Sequence, residues 1–309
     1  MGSHSQRMLA VGLSSRTTTH DHRKPLVDRG YKYWDIKGGS ACLVSLIFAS
    51  EEMTPRNLSG LRIDSPRTLP QWVLPWPAFV VDWKRAALIV IDYQNYSSNP
   101  NAGMARMLFE KFPAVAAYYV PRITEVTIPN TRRLLNAFRK AGLERIFTRH
   151  GAFLPDGRDF IPRRRKREQD AVQLTGVPHL FSRGTYEHEI VEALKPLPEE
   201  LVVDKNSTSP FHSTGIDQIL RNLGIETLVV TGMATEMCVE STSRDAADRG
   251  YHVIVVEDAV ATFYPEHHYA SLSALARVFA QVWSAEQVLD ASAAGRFDSQ
   301  GGVYSNQGE

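Results

Sequence analysis

The chain has 309 residues, of which 43% are apolar and 22% are charged, the usual proportions of a globular protein. Its formal net charge of +1 produces no overall field that would attract nucleic acid or a membrane surface, so we expect neither as a partner. The two cysteines, Cys42 and Cys238, indicate no disulfide framework and no apolar run could cross a bilayer, which together predict a cytoplasmic protein.

The N-terminal region, residues 1–80, differs in composition from the rest of the chain and is predicted to be an extension, partly disordered or strapped onto the surface. Residues 69–77 contain two tryptophans and three prolines, which exclude a regular helix and favour an extended strap. Residues 293–309 have the composition of a disordered tail. We therefore expect one folded domain between these regions, at residues 81–292.

The first strand of the domain is predicted at residues 86–91, where an unbroken apolar run indicates burial on both faces. Asp92 follows at the carboxyl end of this strand, where open parallel sheets place their ligand sites. Aspartate is also common in turns after strands, so the position alone permits a purely structural role.

Strands and helices then alternate along the chain. The hydrophobic pattern predicts further strands at 145–148, 201–204, 227–231, 252–256 and 281–283, and helices at 130–140, 187–194, 216–222, 238–248 and 266–278. The basic run at 163–167 is interpreted as a solvated loop. This alternation predicts an α/β fold, a three-layer α/β/α sandwich with a mostly parallel sheet of about six strands.

Two of the later strands lead into residues whose side chains could take part in catalysis. Lys205 follows the strand at 201–204, and Cys238 lies in the first turn of the helix after the strand at 227–231. The exposed amides of that helix end favour a thiolate, a good nucleophile toward a carbonyl carbon. Taken singly, a surface lysine and a small buried cysteine are the commoner interpretations. A parallel sheet brings both to the edge that carries Asp92, which favours a shared site.

Three motifs carry a resemblance to a known family. They are Asp92 after its apolar strand, Lys205 in Val-Asp-Lys-Asn-Ser-Thr-Ser-Pro-Phe, and Cys238 in Gly-Met-Ala-Thr-Glu-Met-Cys-Val-Glu-Ser-Thr. The cysteine follows the lysine by 33 positions, and together the motifs resemble those of the isochorismatase-like cysteine hydrolases. The resemblance runs from about residue 82 to residue 290. Residues 184–190 and 238–246 look most like the branch of ureidoacrylate amidohydrolases and biuret hydrolases.

The resemblance implies a hydrolase that needs no cofactor. Cys238 would attack a carbonyl carbon, while Asp92 would accept the thiol proton and later protonate the departing nitrogen. Lys205 would favour the anionic forms of both groups, and water would resolve the thioester. The family's oxyanion hole implies the backbone amides of Ala234 and Cys238, with a cis peptide bond between Met233 and Ala234.

Two departures from related enzymes narrow the expected chemistry. Nicotinamidases of this superfamily hold a metal with an aspartate and several histidines after the second strand, whereas this chain offers only His150 there. One imidazole cannot hold zinc alone, so we expect no metal site. True isochorismatases cleave a vinyl ether and lack the cysteine, so Cys238 favours cleavage of a C–N bond.

Four residues are candidates for the substrate pocket: Asn95, Tyr96, Phe211 and His150. Tyr96 and Phe211 follow the strands that end near Asp92 and Lys205, although aromatic residues at such positions are as often plain packing. His150, or Arg149 beside it, could bind a carboxylate or a ureido oxygen of the substrate.

The sequence therefore predicts a cysteine amidohydrolase that acts on a small linear amide or ureide. Members of the superfamily are usually oligomers, so the resemblance implies a homo-dimer or homo-tetramer. Two alternatives stay open: a hydrolase for another small acyl or isochorismate-like substrate, and a catalytically silent scaffold of the same fold. The intact set of Asp92, Lys205 and Cys238 argues against the silent scaffold.

Overall fold

The computed structural model describes residues 77–294 and two short strands that pair antiparallel, β1 (Val27–Asp28) and β2 (Tyr31–Lys32). The chain divides into two units, Met1–Thr54 and Pro55–Glu309. The antiparallel pair belongs to the first unit, and every other element belongs to the second. The predicted strap and tail fall almost wholly outside the described residues, as does Cys42.

Within residues 77–294, six parallel strands form one sheet, in the order β5-β4-β3-β6-β7-β8. The strands are β3 (Ala86–Ile91), β4 (Glu144–His150), β5 (Leu201–Lys205), β6 (Thr227–Met233), β7 (His252–Ala261) and β8 (Gln281–Trp283). Every neighbouring pair is parallel. The predicted α/β sandwich with a mostly parallel sheet is therefore confirmed.

Helices cover both faces of this sheet. In the same part of the chain they are α1 (Asn95–Ser98), α2 (Gly103–Lys111), α3 (Pro113–Pro121), α4 (Ile128–Ala141), α5 (Pro162–Thr175), α6 (Pro210–Ser213), α7 (Ile216–Asn222), α8 (Glu240–Asp248), α9 (Pro265–Val278) and α10 (Ala285–Ala294). No helix among residues 77–294 combines the length and the apolar character that crossing a bilayer requires.

The central strand β3 divides the core into two layers. Its side chains alternate between two hydrophobic clusters, because successive residues of a strand point to opposite faces. Leu88 and Val90 belong to the cluster covered by α2, α3, α4 and α10, whereas Ile89 and Ile91 belong to the cluster covered by α6 to α9. Each fully buried leucine, isoleucine or valine contributes roughly 1.5–3 kcal/mol, so this strand anchors both layers.

The helix predicted at 130–140 is the end of a much longer helical run. α3, a π-helical segment at Arg122–Thr127, and α4 follow one another without a break. Pro129 has no amide hydrogen and its ring crowds the carbonyl four residues earlier, which a wider π-helical segment accommodates. Accordingly, the amide of Ile128 donates to the carbonyl of Ile123, five residues back. The proline marks a local irregularity here and not the start of a helix.

The prediction of a helix at 187–194 is wrong. Only a 3-10 turn at Glu192–Leu194 is present, and the preceding residues lie alongside the segment after β3. The amides of Asn95 and Tyr96 donate to the carbonyls of Glu189 and Glu187 at 2.8 and 2.9 Å. Because these carbonyls are used by a distant segment, a helix is not needed to satisfy them.

The basic run at 163–167 is not a loop, contrary to the prediction. It forms the first part of α5, which begins with Pro162 and ends at Gly176 in the left-handed conformation. Proline at the first helical position and glycine just past the last one are the usual boundaries of a helix. The helix has few buried apolar residues, so the hydrophobic pattern gave no sign of it.

Candidate functional site

Asp92 turns the chain out of the carboxyl end of β3. Its backbone adopts a φ of 53°, in the left-handed region that few residues other than glycine occupy. Its amide donates to the carbonyl of Thr148 at 3.1 Å, and the hydroxyl of Thr148 donates to Asp92 Oδ1 at 2.7 Å. The neighbouring strand β4 therefore fixes both the backbone and the carboxylate, which is only 2% exposed.

Lys205 ends β5 and is completely buried. Its Nζ donates to Asp92 Oδ2 at 2.7 Å and to Cys238 Sγ at 3.3 Å. The carbonyls of Ser207 and Thr208 accept from the same ammonium group at 3.2 and 3.0 Å. Burial alone would lower the pKa of Lys205, but the charge of Asp92 and the contacts with Asp92 and Cys238 outweigh it and raise the pKa. The lysine is therefore a permanent cation between the two groups.

Cys238 lies in a π-helical turn at Thr235–Val239 that leads directly into α8. Cys238 is a free cysteine that forms no disulfide, and it is 8% exposed. Burial raises the pKa of Cys238 to about 12; Lys205 opposes this, while Asp92 adds to it. The sequence suggested that the helix end would favour a thiolate, but burial outweighs that effect, so the resting sulfur carries its proton.

The chain reaches Cys238 through an unusual backbone. The peptide bond between Met233 and Ala234 is cis. The carbonyl of Ala234 accepts hydrogen bonds from the amides of Met237 and Val239 at 3.0 and 3.2 Å, which closes the turn. Gly232 precedes the cis bond with a φ of +131°, and a Cβ there would lie only 2.2 Å from the carbonyl oxygen of Ile91. Glycine is required because β6 approaches β3 so closely at this point.

A buried histidine holds the other side of this turn. His268 Nδ1 lies 2.9 Å from Thr235 Oγ1, and His268 Nε2 lies 3.1 Å from a nitrogen of Arg122. Ser271 also donates to the carbonyl of Thr235 at 3.1 Å. Because arginine can only donate, Nε2 accepts and Nδ1 carries the proton that is given to the threonine. Sequence reasoning missed all four residues.

The candidate pocket residues have different surroundings. Burial raises the pKa of Tyr96 well above its usual value, and nearby Asp92 and Cys238 raise it further. Tyr96 is therefore buried in the neighbourhood of Asp92 and Cys238, with its ring packed edge-on against Phe181. Asn95 instead donates from Nδ2 to the carbonyl of Tyr186 at 2.9 Å. Phe211 has the contacts of a core residue, since its ring centroid lies 6.0 Å from that of Tyr251.

His150 lies beside the lysine, because it pairs in register with Lys205 across β4 and β5. Its Nε2 contacts a guanidinium nitrogen of Arg164. Burial lowers the pKa of His150 well below its usual value, and Lys205 and Arg164 lower it further. The imidazole is therefore neutral, and its Nε2 is engaged by Arg164, whereas its Nδ1 is buried without a hydrogen-bond partner among the described residues. Gln94, which sequence reasoning missed, fixes it by bonding both backbone groups of His150, at 2.7 and 3.1 Å.

Arg149 points away from this site. Its guanidinium is paired with Asp204 and Glu189, each at 2.7 Å. With Asn95 it lines a cavity of about 840 Å³ whose lining includes none of Asp92, Lys205 and Cys238. The cavity is therefore not formed by the three site residues.

The described residues contain no group of three or more His, Cys, Asp and Glu side chains that could hold a metal ion. The site itself brings together a thiol, a carboxylate and an ammonium group. A buried thiol needs a base to become a nucleophile, and a carboxylate held by a cation and a hydroxyl is placed to serve as one. This arrangement suits acyl transfer.

Comparison with known proteins finds a matching family and similar solved structures. A family model described as the isochorismatase domain matches residues 86–287. A cysteine hydrolase from Pseudomonas syringae pv. phaseolicola is 27% identical, with a TM-score of 0.59, and the match covers 72% of this chain and 100% of that chain.

Two further solved structures are similar. An isochorismatase family protein from Burkholderia thailandensis is 31% identical, with a TM-score of 0.51, over 68% of this chain and 96% of that chain. An isochorismatase family protein from Desulfovibrio vulgaris is 26% identical, with a TM-score of 0.56, over 68% of this chain and 99% of that chain. The similarity thus spans nearly the whole of each relative.

Proposed function

The chain belongs to the isochorismatase family of hydrolases, and we propose that it cleaves the C–N bond of a small linear amide or ureide through a thioester on Cys238. One observation carries the proposal. Lys205 Nζ lies within hydrogen-bonding distance of both Asp92 Oδ2 and Cys238 Sγ, at 2.7 and 3.3 Å. A nucleophile, a base and a fixed cation therefore share one buried pocket.

In the first step, Asp92 accepts the proton of Cys238 as the sulfur attacks the substrate carbonyl carbon. The new S–C bond converts the carbonyl into a tetrahedral oxyanion. The backbone amides of Ala234 and Cys238 are the proposed donors to that oxyanion. Lys205 stabilises the negative charge that moves between the sulfur and the carboxylate, so neither group has to be charged alone in a dry pocket.

In the second step, Asp92 returns the proton to the nitrogen that leaves, and the C–N bond breaks. Ammonia or an amine departs, and the acyl group remains on Cys238 as a thioester. Water then gives a proton to Asp92 and its oxygen attacks the thioester carbonyl. When the S–C bond breaks, the sulfur regains a proton from Asp92 and the acid is released. No cofactor enters this scheme, because each proton moves between groups of the site.

The raised pKa of the thiol fits this sequence of steps. Since burial keeps the pKa of Cys238 at about 12, a free thiolate is rare at neutral pH. Proton transfer to Asp92 is then coupled to the attack, and Asp92 holds the proton until the leaving nitrogen needs it.

Ureides are the preferred substrates in this proposal, because residues 184–190 and 238–246 resemble the ureidoacrylate and biuret branch of the family. A hydrolase for an isochorismate-like ether is the second candidate. A silent scaffold is the third, and it would leave a buried thiol, carboxylate and lysine without a purpose. We also propose a homo-dimer or homo-tetramer, which light scattering of the purified chain would test.

Release of ammonia from a substrate panel tests the proposal. The panel contains biuret, a ureidoacrylate-type compound, carbamoyl amino acids, maleamate and nicotinamide. We expect release from at least one of them, together with a transient gain in protein mass equal to the acyl group on Cys238. Cleavage of an ether releases no ammonia, so an isochorismate-like vinyl ether is assayed separately by chromatography of its products. Turnover of this ether alone would support the second candidate, and no turnover of either class would support the third.

A further inference from the structure

Helix α5 directs one face toward the nucleophile. Arg164 contacts His150 Nε2, and Arg164 Nε lies 2.6 Å from Glu168 Oε1. Arg167 lies 3.9 Å from the sulfur of Met237, the residue before the nucleophile. Positions 164, 167 and 168 share one face because three and four residues complete about one helical turn. The charged face of α5 therefore lies beside the site, although no strand carries it there.

Glu168 is an unusual residue for that position. It is only 8% exposed, and its Oε1 is held by Arg164. Its Oε2 is buried and has no hydrogen-bond partner within the described part of the chain. Burial raises the pKa of Glu168 to about 7, against the opposing charges of Arg164 and Arg167. A buried carboxylate oxygen is costly without a donor, so a ligand that supplies an N–H group would be favoured there.

Tyr96 links this carboxylate to the nucleophile. The pKa of Tyr96 is raised first by burial and next by Asp92 and Cys238. Arg164 lowers the same pKa and Glu168 raises it, so the tyrosine hydroxyl is within electrostatic reach of both sets of charges. The contacts of α5 agree with this, since Arg164, which holds Glu168, contacts His150 beside Lys205, and Arg167 contacts Met237 beside Cys238. The pair on α5 therefore borders the three site residues.

We propose that Glu168, held by Arg164, determines substrate specificity by accepting a hydrogen bond from an N–H group on the side of the attacked carbonyl that is not cleaved. This inference rests on the proposed function and makes it more specific. A ureide has such an N–H group next to the carbonyl, whereas a simple carboxamide has a CH₂ group in its place. The site therefore selects ureides over carboxamides of the same shape.

Biuret and malonamide are a matched pair for the test, because they differ only in a central NH or CH₂ group. Their dissociation constants are measured by calorimetry on the Cys238→Ser protein, after an assay has verified that it releases no ammonia from either compound. We expect biuret to bind about tenfold more tightly or better, the effect of one hydrogen bond to a charged group. Equal binding of the two compounds, or no measurable binding of biuret, would overturn the inference.

Variants of Glu168 then test whether this residue causes the preference for biuret over malonamide. In the Cys238→Ser background, Glu168→Leu should abolish the preference for biuret, and Glu168→Gln, which keeps the size and an acceptor, should retain part of it. Asp170→Asn is the matched control, since this acid on the same helix is paired with Lys166 and half-exposed. A preference that persists in both Glu168 variants, or is lost equally in the control, would contradict the assignment.

The two proposals fail in different ways. If the wild-type protein releases ammonia from malonamide or maleamate as readily as from biuret, the amidohydrolase proposal stands and the role of Glu168 is wrong. If the wild-type protein releases ammonia from no compound, the amidohydrolase proposal is wrong. Melting temperatures of the Glu168 variants verify folding, and where Glu168→Leu does not fold, Glu168→Gln decides, with an expected loss of the preference of at least about threefold.

Discussion

Lys205 Nζ donates a hydrogen bond to Asp92 Oδ2 at 2.7 Å, although the two residues are 113 positions apart in the chain. Both side chains are buried, at 0% and 2% exposure. β4 lies between the two strands that carry them, and Thr148 of β4 donates a hydrogen bond to Asp92 Oδ1. A buried ion pair is stable only where other groups form hydrogen bonds with its remaining donors and acceptors. The pair, the threonine and the Cys238 sulfur therefore form one unit.

Asp92→Asn should lower the pKa of the Cys238 thiol while abolishing turnover. The carboxylate is one of the causes that raise this pKa, and its loss leaves the Lys205 ammonium free to stabilise a thiolate. We expect a fall of about one unit or more. The ultraviolet absorbance of the thiolate, followed as the pH rises, measures it, with Cys42→Ala as the background. An unchanged or higher thiol pKa would show that Asp92 does not act on the sulfur.

Thr148→Val should reduce kcat by about tenfold, because the Asp92 carboxylate loses one charge-assisted hydrogen bond that orients it. Thr231→Val is the matched control. Thr231 is equally buried and donates to the carbonyl of Ile89 at 3.3 Å, away from the carboxylate. Both variants should lose about 1 kcal/mol of unfolding free energy, but only the first should lose activity. Equal kcat values for the two would rule out a role for Thr148 in orienting Asp92.

Gly232→Ala should destabilise the protein far more than Gly142→Ala. Both glycines have positive φ, +131° and +68°, but a Cβ at Gly232 would lie 2.2 Å from the Ile91 carbonyl oxygen, while a Cβ at Gly142 would meet nothing within 4 Å. We expect a loss of about 1–2 kcal/mol for Gly142→Ala and at least twice that for Gly232→Ala. Urea denaturation measures both, and similar midpoints would mean that β6 can move away from β3.

Glu200 should make the free energy of unfolding depend on pH. Burial would raise the pKa of Glu200, but Arg139, Arg145 and the Leu197 amide outweigh it and lower the pKa to about 2. Because the folded pKa lies below the unfolded value, the stabilisation is complete above the unfolded pKa and is lost as the pH falls toward the folded one. We expect Glu200→Gln to cost about 2 kcal/mol at neutral pH and much less near pH 3.

Glu226→Gln is the control for that experiment. Glu226 is also paired with an arginine, Arg85, but both side chains are about half-exposed. An exposed pair contributes roughly 0–1 kcal/mol, so this variant should change little at any pH. If the cost of Glu200→Gln were the same at neutral and acid pH, the stabilisation by Glu200 would not be electrostatic.

The strands could be predicted from the sequence because their apolar runs are continuous and their ends carry polar residues. In a parallel sheet, carboxyl ends meet at one edge, so strand ends alone placed Asp92 and Lys205 together. The alternation continued far enough to predict a six-stranded α/β fold. β7 is longer than predicted, since a register shift between Val230 and Gly232 lets it pair on to Ala261.

Features that depend on distant contacts could not be predicted. Residues 187–194 have helical composition, but hydrogen bonds to Asn95 and Tyr96 hold them in another conformation. The pattern of α5 was hidden because its buried face includes a glutamate, Glu168, and not a stripe of apolar residues. The raised pKa of the Cys238 thiol also results from burial in the tertiary structure, which a helix end alone does not reveal.

The rate of ammonia release by Cys238→Ala, on whichever amide or ureide the wild-type protein cleaves fastest, tests covalent catalysis most directly. Cys42→Ala provides the matched change at the other cysteine, and melting temperatures verify that both variants fold. We expect Cys238→Ala to lose about a thousandfold or more in kcat, with Cys42→Ala unchanged. A correctly folded Cys238→Ala protein that retains a tenth or more of the wild-type rate would contradict the thioester mechanism.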